Sequence, residues 1–369
     1  MNDWNKIREQ DFPNAKNCIY LDHAAGGVIS RPSHEAATQY WNESLEKGDF
    51  YWENWLSRKE EARSQIAAFI NADPEEVSFV HSTSEGMNII ADLLGDDGDA
   101  MMSDMEFPAS TVPWLHQKGS VQFLSAEQNK TLPENFNQSI TSSTKTIVSS
   151  YVQYATGFKQ DLNSLSQIAK EKEINFVVNC SQALGAFPVD VKAMGIDCLA
   201  GNSYKWMMAG YGGGVLYIRK DILKKRKPHF AGWRSVTNPD EYQNKNAELS
   251  LTGSQFEYGG PSFPNFFALA AACKYFSSLG KEDIKNRILF LTNYLIQQAQ
   301  KNNISILSPL EPQHRSGIII LAVPEPQKAC LKLYQKGIFV TPRGGGIRVA
   351  PHIYNNEEDI NKLISGIKK

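Results

Sequence analysis

The sequence lacks any apolar run near the roughly 18 residues needed to span a bilayer. Its opening stretch, Met1–Phe12, lacks the apolar centre of a signal peptide. Both absences point to a cytoplasmic protein. No charge sign dominates: the formal net charge is −2. There is thus no basic field to gather nucleic acid or an acidic membrane surface. Cysteine is scarce, with five residues at 18, 180, 198, 273 and 330 and no CxxC pair. An odd, widely spaced set reads as reduced, mostly buried thiols, not a disulfide framework. His34-Glu35 opens no HExxH, because position 38 is Thr, so no zinc site is expected. No GxxxxGK[ST] phosphate loop occurs. The runs Gly210–Gly214 and Gly344–Gly346 are not dinucleotide fingerprints and can simply be tight turns.

What is present is an ordinary globular composition, 41% hydrophobic and 21% charged over 369 residues. That length suits a two-domain enzyme or one large α/β domain with an appendage. From about residue 75 to 220 short apolar runs alternate with amphipathic stretches. Strands are expected at Val77–Val80, Ala100–Ser103, Val121–Leu124, Thr146–Ser150, Phe176–Val178 and Gly214–Ile218. Helical patterns lie between several of them, such as Glu85–Leu94 and Leu162–Lys170. Such alternation predicts a mostly parallel sheet covered by helices. Residues 32–70 predict two helices, the second at Trp52–Ile70 and stopped by Asn71-Ala72-Asp73-Pro74. The polar region 225–262 reads as the passage into a smaller α+β domain. That domain is expected to hold helices near 263–279, 282–301 and 326–336 and a strand at Gly317–Ala322. A turn-rich Pro342–Gly346, a strand Ile347–Val349 and a last helix from Glu357 complete it. The predicted division is 15–255 for the large domain, with 1–14 and 256–369 forming the small one.

Three segments carry chemistry. In Asn202-Ser203-Tyr204-Lys205-Trp206 a lysine sits among aromatics and small residues, between the apolar Ile196–Ala200 and the glycine run. Burial would lower its pKa and free a neutral amine as nucleophile. Taken alone, such a lysine is more often a surface residue with a buried stem. His81-Ser82-Thr83-Ser84-Glu85-Gly86 follows a strand and opens a helix. Hydroxyls and free N–H groups there make an anion site, and equally make a plain N-cap. Val177–Gly185 ends a buried strand, where polar side chains such as Asn179 and Gln182 point into the ligand crevice of an open α/β sheet.

In chain order these segments join Glu106-Phe107-Pro108, Gln153-Tyr154-Ala155-Thr156-Gly157 and Arg343-Gly-Gly-Gly-Ile-Arg348-Val-Ala-Pro351. The whole, from about Tyr20 to the C-terminus, resembles the class V aminotransferase family of fold-type I pyridoxal-phosphate (PLP) enzymes. That family includes cysteine desulfurases, kynureninase and isopenicillin N epimerase. The resemblance implies a fold of one large domain with a mostly parallel, seven-stranded type of sheet and a smaller C-terminal α+β domain. It implies PLP as cofactor, a small amino acid as substrate, transamination as the leading activity, and a homodimer. Lys205 matches the Schiff-base lysine, which also moves the substrate α-proton. Thr83 and Ser84 match the phosphate-binding pair, and Tyr204 a residue reaching the phosphate. Gly260 falls where a neighbouring subunit often completes that site. Phe107 matches the residue stacked on the pyridine ring. Gln182 matches the partner of the ring hydroxyl oxygen, with Tyr154 near it. Arg348 matches the carboxylate-gripping arginine, a task suited to its bidentate fork. Arg343 is a candidate for the same region or for the surface, and Ala24 and Ala25 line the substrate end.

The pattern breaks at Asn179, where the family normally has Asp. A carboxylate there keeps the ring nitrogen protonated, and an amide cannot supply that charge. Reduced activity, a chemistry needing a weaker electron sink, and a non-catalytic PLP binder all remain open. A second break concerns the desulfurases, which need a cysteine on a C-terminal loop. The segment Arg343–Arg348 has none, so persulfide chemistry is disfavoured, while lyase, epimerase or kynureninase-like hydrolase activity stays open.

Overall fold

The computed structural model describes residues 2–117, 119–245 and 248–368. Among these residues twelve strands run in chain order. They are β1 (Ile19–Tyr20), β2 (Val77–Val80), β3 (Asp99–Ser103), β4 (Val121–Leu124), β5 (Thr144–Ser150), β6 (Asn175–Asn179), β7 (Cys198–Asn202), β8 (Gly214–Ile218), β9 (Ile319–Leu321), β10 (Ile338–Phe339), β11 (Thr341–Arg343) and β12 (Gly346–Val349). Seven of them form one sheet in the order β2-β8-β7-β6-β5-β3-β4. Only β8 runs against its two neighbours, and every other pairing in this sheet is parallel. The α/β class and the mostly parallel sheet expected from the alternating runs are therefore what the chain forms.

The sheet is covered on both faces, which explains why its strands read as continuous apolar runs. Along β6, Phe176 and Val178 face one apolar cluster with Ile147 and Leu199. Val177 faces the other, with Val148, Ala200 and the helix Thr83–Leu94. The strand β7 was expected only as an apolar stretch. Its Gly201 and Asn202 blur the pattern, yet all five residues are buried between β6 and β8.

A second sheet, β11-β12-β9, is antiparallel. It packs on the helices Lys281–Lys301 and Glu357–Lys368 through Leu291, Leu295, Ile347, Val349 and Leu363. Pro342–Gly346 is expected to be turn-rich. Only Gly344 and Gly345 turn, at φ +63° and +81°. Pro342 lies instead in β11, at the sheet edge where a missing N–H is tolerated. Because Ile347 and Val349 face this core, Arg348 faces the other way, toward the large sheet. Two long-range pairings hold it there: β1 beside β10, and Asp22 beside Ala350. The helix Trp52–Ile70 ends as expected, with Asn71 in the left-handed conformation. Arg63 and Lys59 from that helix bond the buried Glu257, which also accepts from Phe79 N at 3.0 Å. This cluster anchors β2 and so fixes the helix that starts at Thr83.

Candidate active site

The strands β5, β6 and β7 end at one edge of the sheet, and the helix Thr83–Leu94 starts there after β2. That edge is where open α/β sheets bind ligands. Lys205 lies three residues beyond β7. Its backbone is clamped from three segments. Gly27 N–H donates to Tyr204 O at 2.6 Å. His352 Nε2 lies 3.0 Å from Trp206 O. A Cβ on Gly185, at φ +98°, would stand 2.4 Å from the same carbonyl, so this approach too requires glycine. A Cβ on Gly27 would stand 2.1 Å from Lys205 O, so only glycine fits. Gly27→Ala is expected to cost about 1–3 kcal/mol, the usual range for overpacking against a fixed wall. An unchanged denaturation midpoint would show that the clamp yields freely.

The Lys205 side chain is only 8% exposed. Among the described residues its Nζ has no hydrogen-bond or ion-pair partner. It lies 5.7 Å from the Phe107 ring centroid and 5.6 Å from that of Tyr204. Burial first and the charge of Arg348 second, opposed by Asp22, together lower its pKa to about 8. The amine is therefore substantially neutral near pH 8, unlike an ordinary lysine near 10.4. The rate at which added PLP attaches covalently, followed by absorbance, should rise about tenfold per pH unit and flatten near pH 8. A profile still climbing above pH 10 would mean an unshifted amine.

Hydroxyls and amides link the strand ends around this lysine. Asn202 Oδ1 accepts from Lys205 N at 3.3 Å, and Asn202 Nδ2 donates to Thr83 Oγ1 at 3.3 Å. Thr83 Oγ1 and Ser181 Oγ are 2.8 Å apart. Ser181 N donates to Asn179 Oδ1 at 2.9 Å, and Asn179 Nδ2 donates to Ser110 Oγ at 2.8 Å. Thr83 is buried and Ser84 exposed in the first turn, behind the Ser82 cap. Gln182 is used at both ends: Nε2 donates to Ala24 O at 2.9 Å and Oε1 accepts from Trp206 Nε1 at 2.8 Å. One N–H of that amide is left over. Tyr204 stacks on Tyr211 at 4.1 Å. Phe107, half exposed, meets the Tyr154 ring edge-on at 5.0 Å.

At the other wall Arg348 is 3% exposed. Nη1 donates to Tyr154 O at 3.1 Å, Nη2 reaches Asp22 Oδ1 at 3.4 Å, and the buried Nε has no partner. Thr341 Oγ1 donates to the same Asp22 carboxylate. Arg343 is exposed, with its guanidinium 6.0 Å from the Tyr154 ring centroid. Ala25 is exposed beside the buried Ala24. The fold thus links Lys205 to Tyr204 and Phe107, Phe107 to Tyr154, and Tyr154 to Arg348, while Gln182 joins Ala24 to Trp206. Thr83 and Asn179 join through hydrogen bonds. Gly260 is not part of this chain's Lys205 neighbourhood. It sits in the exposed loop after Tyr258, whose hydroxyl donates to Glu85 Oε1 at 2.7 Å.

Sequence reasoning missed Asp22, Gly27, Ser110, Ser181, Asn202 and Trp206, and left Glu106 without a role. Ser181, Asn202, Trp206 and Glu106 stood inside the noted motifs without a role. Asp22, Gly27 and Ser110 have partners distant in the chain and carry no local signal. Among the described residues no group of three or more His, Cys, Asp or Glu could hold a metal, and no helix is long and apolar enough to cross a membrane.

A lysine-bearing turn at the carboxyl edge of a seven-stranded mixed sheet, facing a hydroxyl-rich helix start, defines the fold-type I architecture of PLP-dependent enzymes. The family model for Aminotransferase class-V matches residues 19–363, and the chain belongs to that family. An uncharacterized aminotransferase, YcbU, of Bacillus subtilis (strain 168) is 26% identical, over 97% of this chain and 96% of the relative. A probable cysteine desulfurase of Pyrococcus abyssi is 25% identical, over 98% and 96%. Among solved structures, the apo cysteine desulfurase of Thermococcus onnurineus NA1 superposes with a TM-score of 0.90 at 23% identity, covering 99% of this chain and 97% of that one. The cystine C-S lyase C-DES superposes at 0.87 and 21%, covering 96% and 98%. These two share the fold.

Proposed function

We propose that this protein is a PLP-dependent aminotransferase acting on a small amino acid, with Lys205 holding the cofactor covalently. One observation carries the reading: Lys205 presents a buried, unpartnered amine of lowered pKa between an aromatic ring and an arginine. The residues around it fit PLP in the chemistry of their donors. Thr83 and Ser84 offer hydroxyls and helix N-terminal N–H groups to a phosphate. Tyr204 adds a phenol on that side. Gln182 has one N–H for the ring hydroxyl oxygen, and Tyr154 lies nearby. Phe107 covers the ring face. Gly260 would serve a partner's phosphate site in a homodimer.

When bound, PLP supplies a ring that withdraws electrons from the substrate's α-carbon. The chain's residues do the rest. Arg348 would grip the substrate carboxylate, with the exposed Arg343 and Ala25 toward the substrate end. Phe107 and Tyr154 exclude water from one side. Lys205 would hold the cofactor through Nζ, and the same Nζ would carry a proton to and from the substrate's α-carbon. The cytoplasm is the proposed location.

A second reading keeps Lys205 and Arg348 but makes the enzyme a lyase, epimerase or kynureninase-like hydrolase. Asn179 favours it, because an uncharged partner for the ring suits a chemistry that needs a weaker electron sink. Persulfide formation is disfavoured. Thr341–Val349 has no cysteine. Burial raises the pKa of Cys180, Cys198 and Cys273 and takes Cys330 to about 11, away from a reactive thiolate.

The test is spectroscopy on the purified protein with added PLP. A visible band abolished by borohydride is expected. With a panel of small amino acids, transamination leaves the amine form of the cofactor and a keto acid. Elimination leaves the aldehyde form, a keto acid and ammonia. A protein that stays colourless with PLP overturns both readings.

A further inference from the structure

The turn that carries Lys205 is held by a series of hydrogen bonds in which each partner fixes the role of the next. Ile353 N donates to His352 Nδ1 at 2.8 Å. A backbone N–H can only donate, so Nδ1 is the acceptor and the ring proton sits on Nε2. Nε2 then donates to Trp206 O at 3.0 Å. The Trp206 indole N–H also can only donate, so the atom it meets, at 2.8 Å, is Gln182 Oε1. That sets the amide, and Gln182 Nε2 donates to Ala24 O at 2.9 Å. Turning the amide over would set donor against donor at Trp206 and acceptor against acceptor at Ala24. His352 and Trp206 are fully buried. Burial holds the His352 pKa well below the usual histidine range, so the ring stays neutral, as its two bonds require.

The series joins two parts of the site. His352 stands four residues after Arg348. The stretch between them crosses the N-terminal segment: Ala350 N donates to Leu21 O at 2.6 Å, and His23 Nδ1 lies 3.0 Å from Ala350 O. That N-terminal segment reaches the lysine turn again where Gly27 N donates to Tyr204 O at 2.6 Å. The carbonyls on both sides of Lys205 are therefore held, Tyr204 O by Gly27 and Trp206 O by His352. Packing alone does not call for this polarity. The His352 ring lies 5.0 Å from the His23 centroid, 5.6 Å from Trp206 and 5.8 Å from Phe276. A hydrocarbon ring would fill that space without the cost of burying two ring nitrogens.

We propose that His352 and Trp206 are positioning residues for Lys205: their one-directional series ties the lysine turn to the segment that carries Arg348, so that the amine and the arginine keep one fixed relation. The proposal deepens the PLP reading and rests on it for the roles of Lys205 and Arg348.

The test uses the full chain without added cofactor. The protein is trace-labelled with acetic anhydride across a pH series, and mass spectrometry of the Lys205 peptide reads the midpoint at which this one amine loses its proton. The groups facing Lys205 are Arg348, Asp22 and the Tyr204 phenol, whose pKa burial raises. In the wild type the midpoint should fall near 8. Trp206→Phe keeps an aromatic ring and removes the indole N–H. His352→Phe keeps a ring and removes both nitrogens. Each should loosen the turn, let water reach the amine, and raise the midpoint toward the ordinary value of about 10.4. A rise of about one pH unit leaves roughly tenfold less neutral amine at neutral pH. Leu223→Ala is the control for stability alone, in the apolar cluster past the end of β8, where β7 begins. It should lower the melting temperature and leave the midpoint in place. A folded Trp206→Phe or His352→Phe with the wild-type midpoint overturns the proposal. A Leu223→Ala midpoint that moves with theirs overturns it too, since the shift would then follow stability alone. Should His352→Phe fail to fold, Trp206→Phe decides the matter. A protein that titrates as expected yet takes up no PLP sinks the functional reading, which is a different result from an unmoved midpoint.

Discussion

Lys205→Met should abolish borohydride-reducible attachment of PLP and lower turnover by at least about 10³-fold, the scale of losing a positioned proton carrier together with the covalent link. Met keeps the volume of the aliphatic stem, so packing against the clamped backbone stays intact. The cofactor-free protein should melt no lower than wild type, because Nζ makes no bond that the change breaks. It should even gain, since a largely buried ammonium beside Arg348 is replaced by a neutral thioether. That pairing of outcomes matters: a structural lysine would lose stability, and a functional one loses only chemistry. Small added amines should restore part of the turnover in Lys205→Ala, where the removed stem leaves room. If Lys205→Met keeps a reducible visible band, another amine holds the cofactor and the assignment falls.

Much of the large sheet is legible in the sequence because burial on both faces demands uninterrupted apolar runs. Val77–Val80 and Gly214–Ile218 have the same bounds in the structure. The helix Trp52–Ile70 ends where Asn71 and Pro74 say it must. β7 escapes because Gly201 and Asn202 are chosen for what lies at the strand's end and not for strand propensity. β1 and β10 are two residues each and pair across more than 300 positions, so no local pattern marks them. The same division runs through the site. Lys205, Thr83, Gln182 and Arg348 are readable by family order. Their supports are not, since a support is defined by its partner. Ser150 and Gln153 meet Glu106 from 44 and 47 residues away. Nothing in Glu106-Phe107-Pro108 announces a buried carboxylate.

Asn179 shows how such blindness bears on function. Read alone, the amide is a missing charge. In the fold its Oδ1 accepts from Ser181 N and its Nδ2 donates to Ser110 Oγ, both partners far or hidden in the sequence.

Arg348→Leu is expected to lower kcat/KM for an amino acid by about 10²–10³-fold, equivalent to roughly 3–4 kcal/mol, the scale for removing one member of a buried charged pair. The guanidinium is held on one side by Tyr154 O and by a long 3.4 Å contact to Asp22, and its buried Nε is bare. Burial lowers its pKa, as does Arg343, while Asp22 raises it. So desolvated and so incompletely bonded, it is primed for a second carboxylate. The loss should therefore fall on KM more than on kcat, because the carboxylate is gripped before and during the reaction alike. Arg348→Lys should recover the charge but not the fork, and regain only part of the affinity. The decisive comparison is an amine substrate with the same side chain and no carboxylate. It should react slowly with wild type and lose little more in Arg348→Leu. Equal losses for the amino acid and the amine would mean that Arg348 merely braces Asp22 and the hairpin. A loss confined to the amino acid would place the substrate carboxylate on the one face of Arg348 that the protein leaves unbonded.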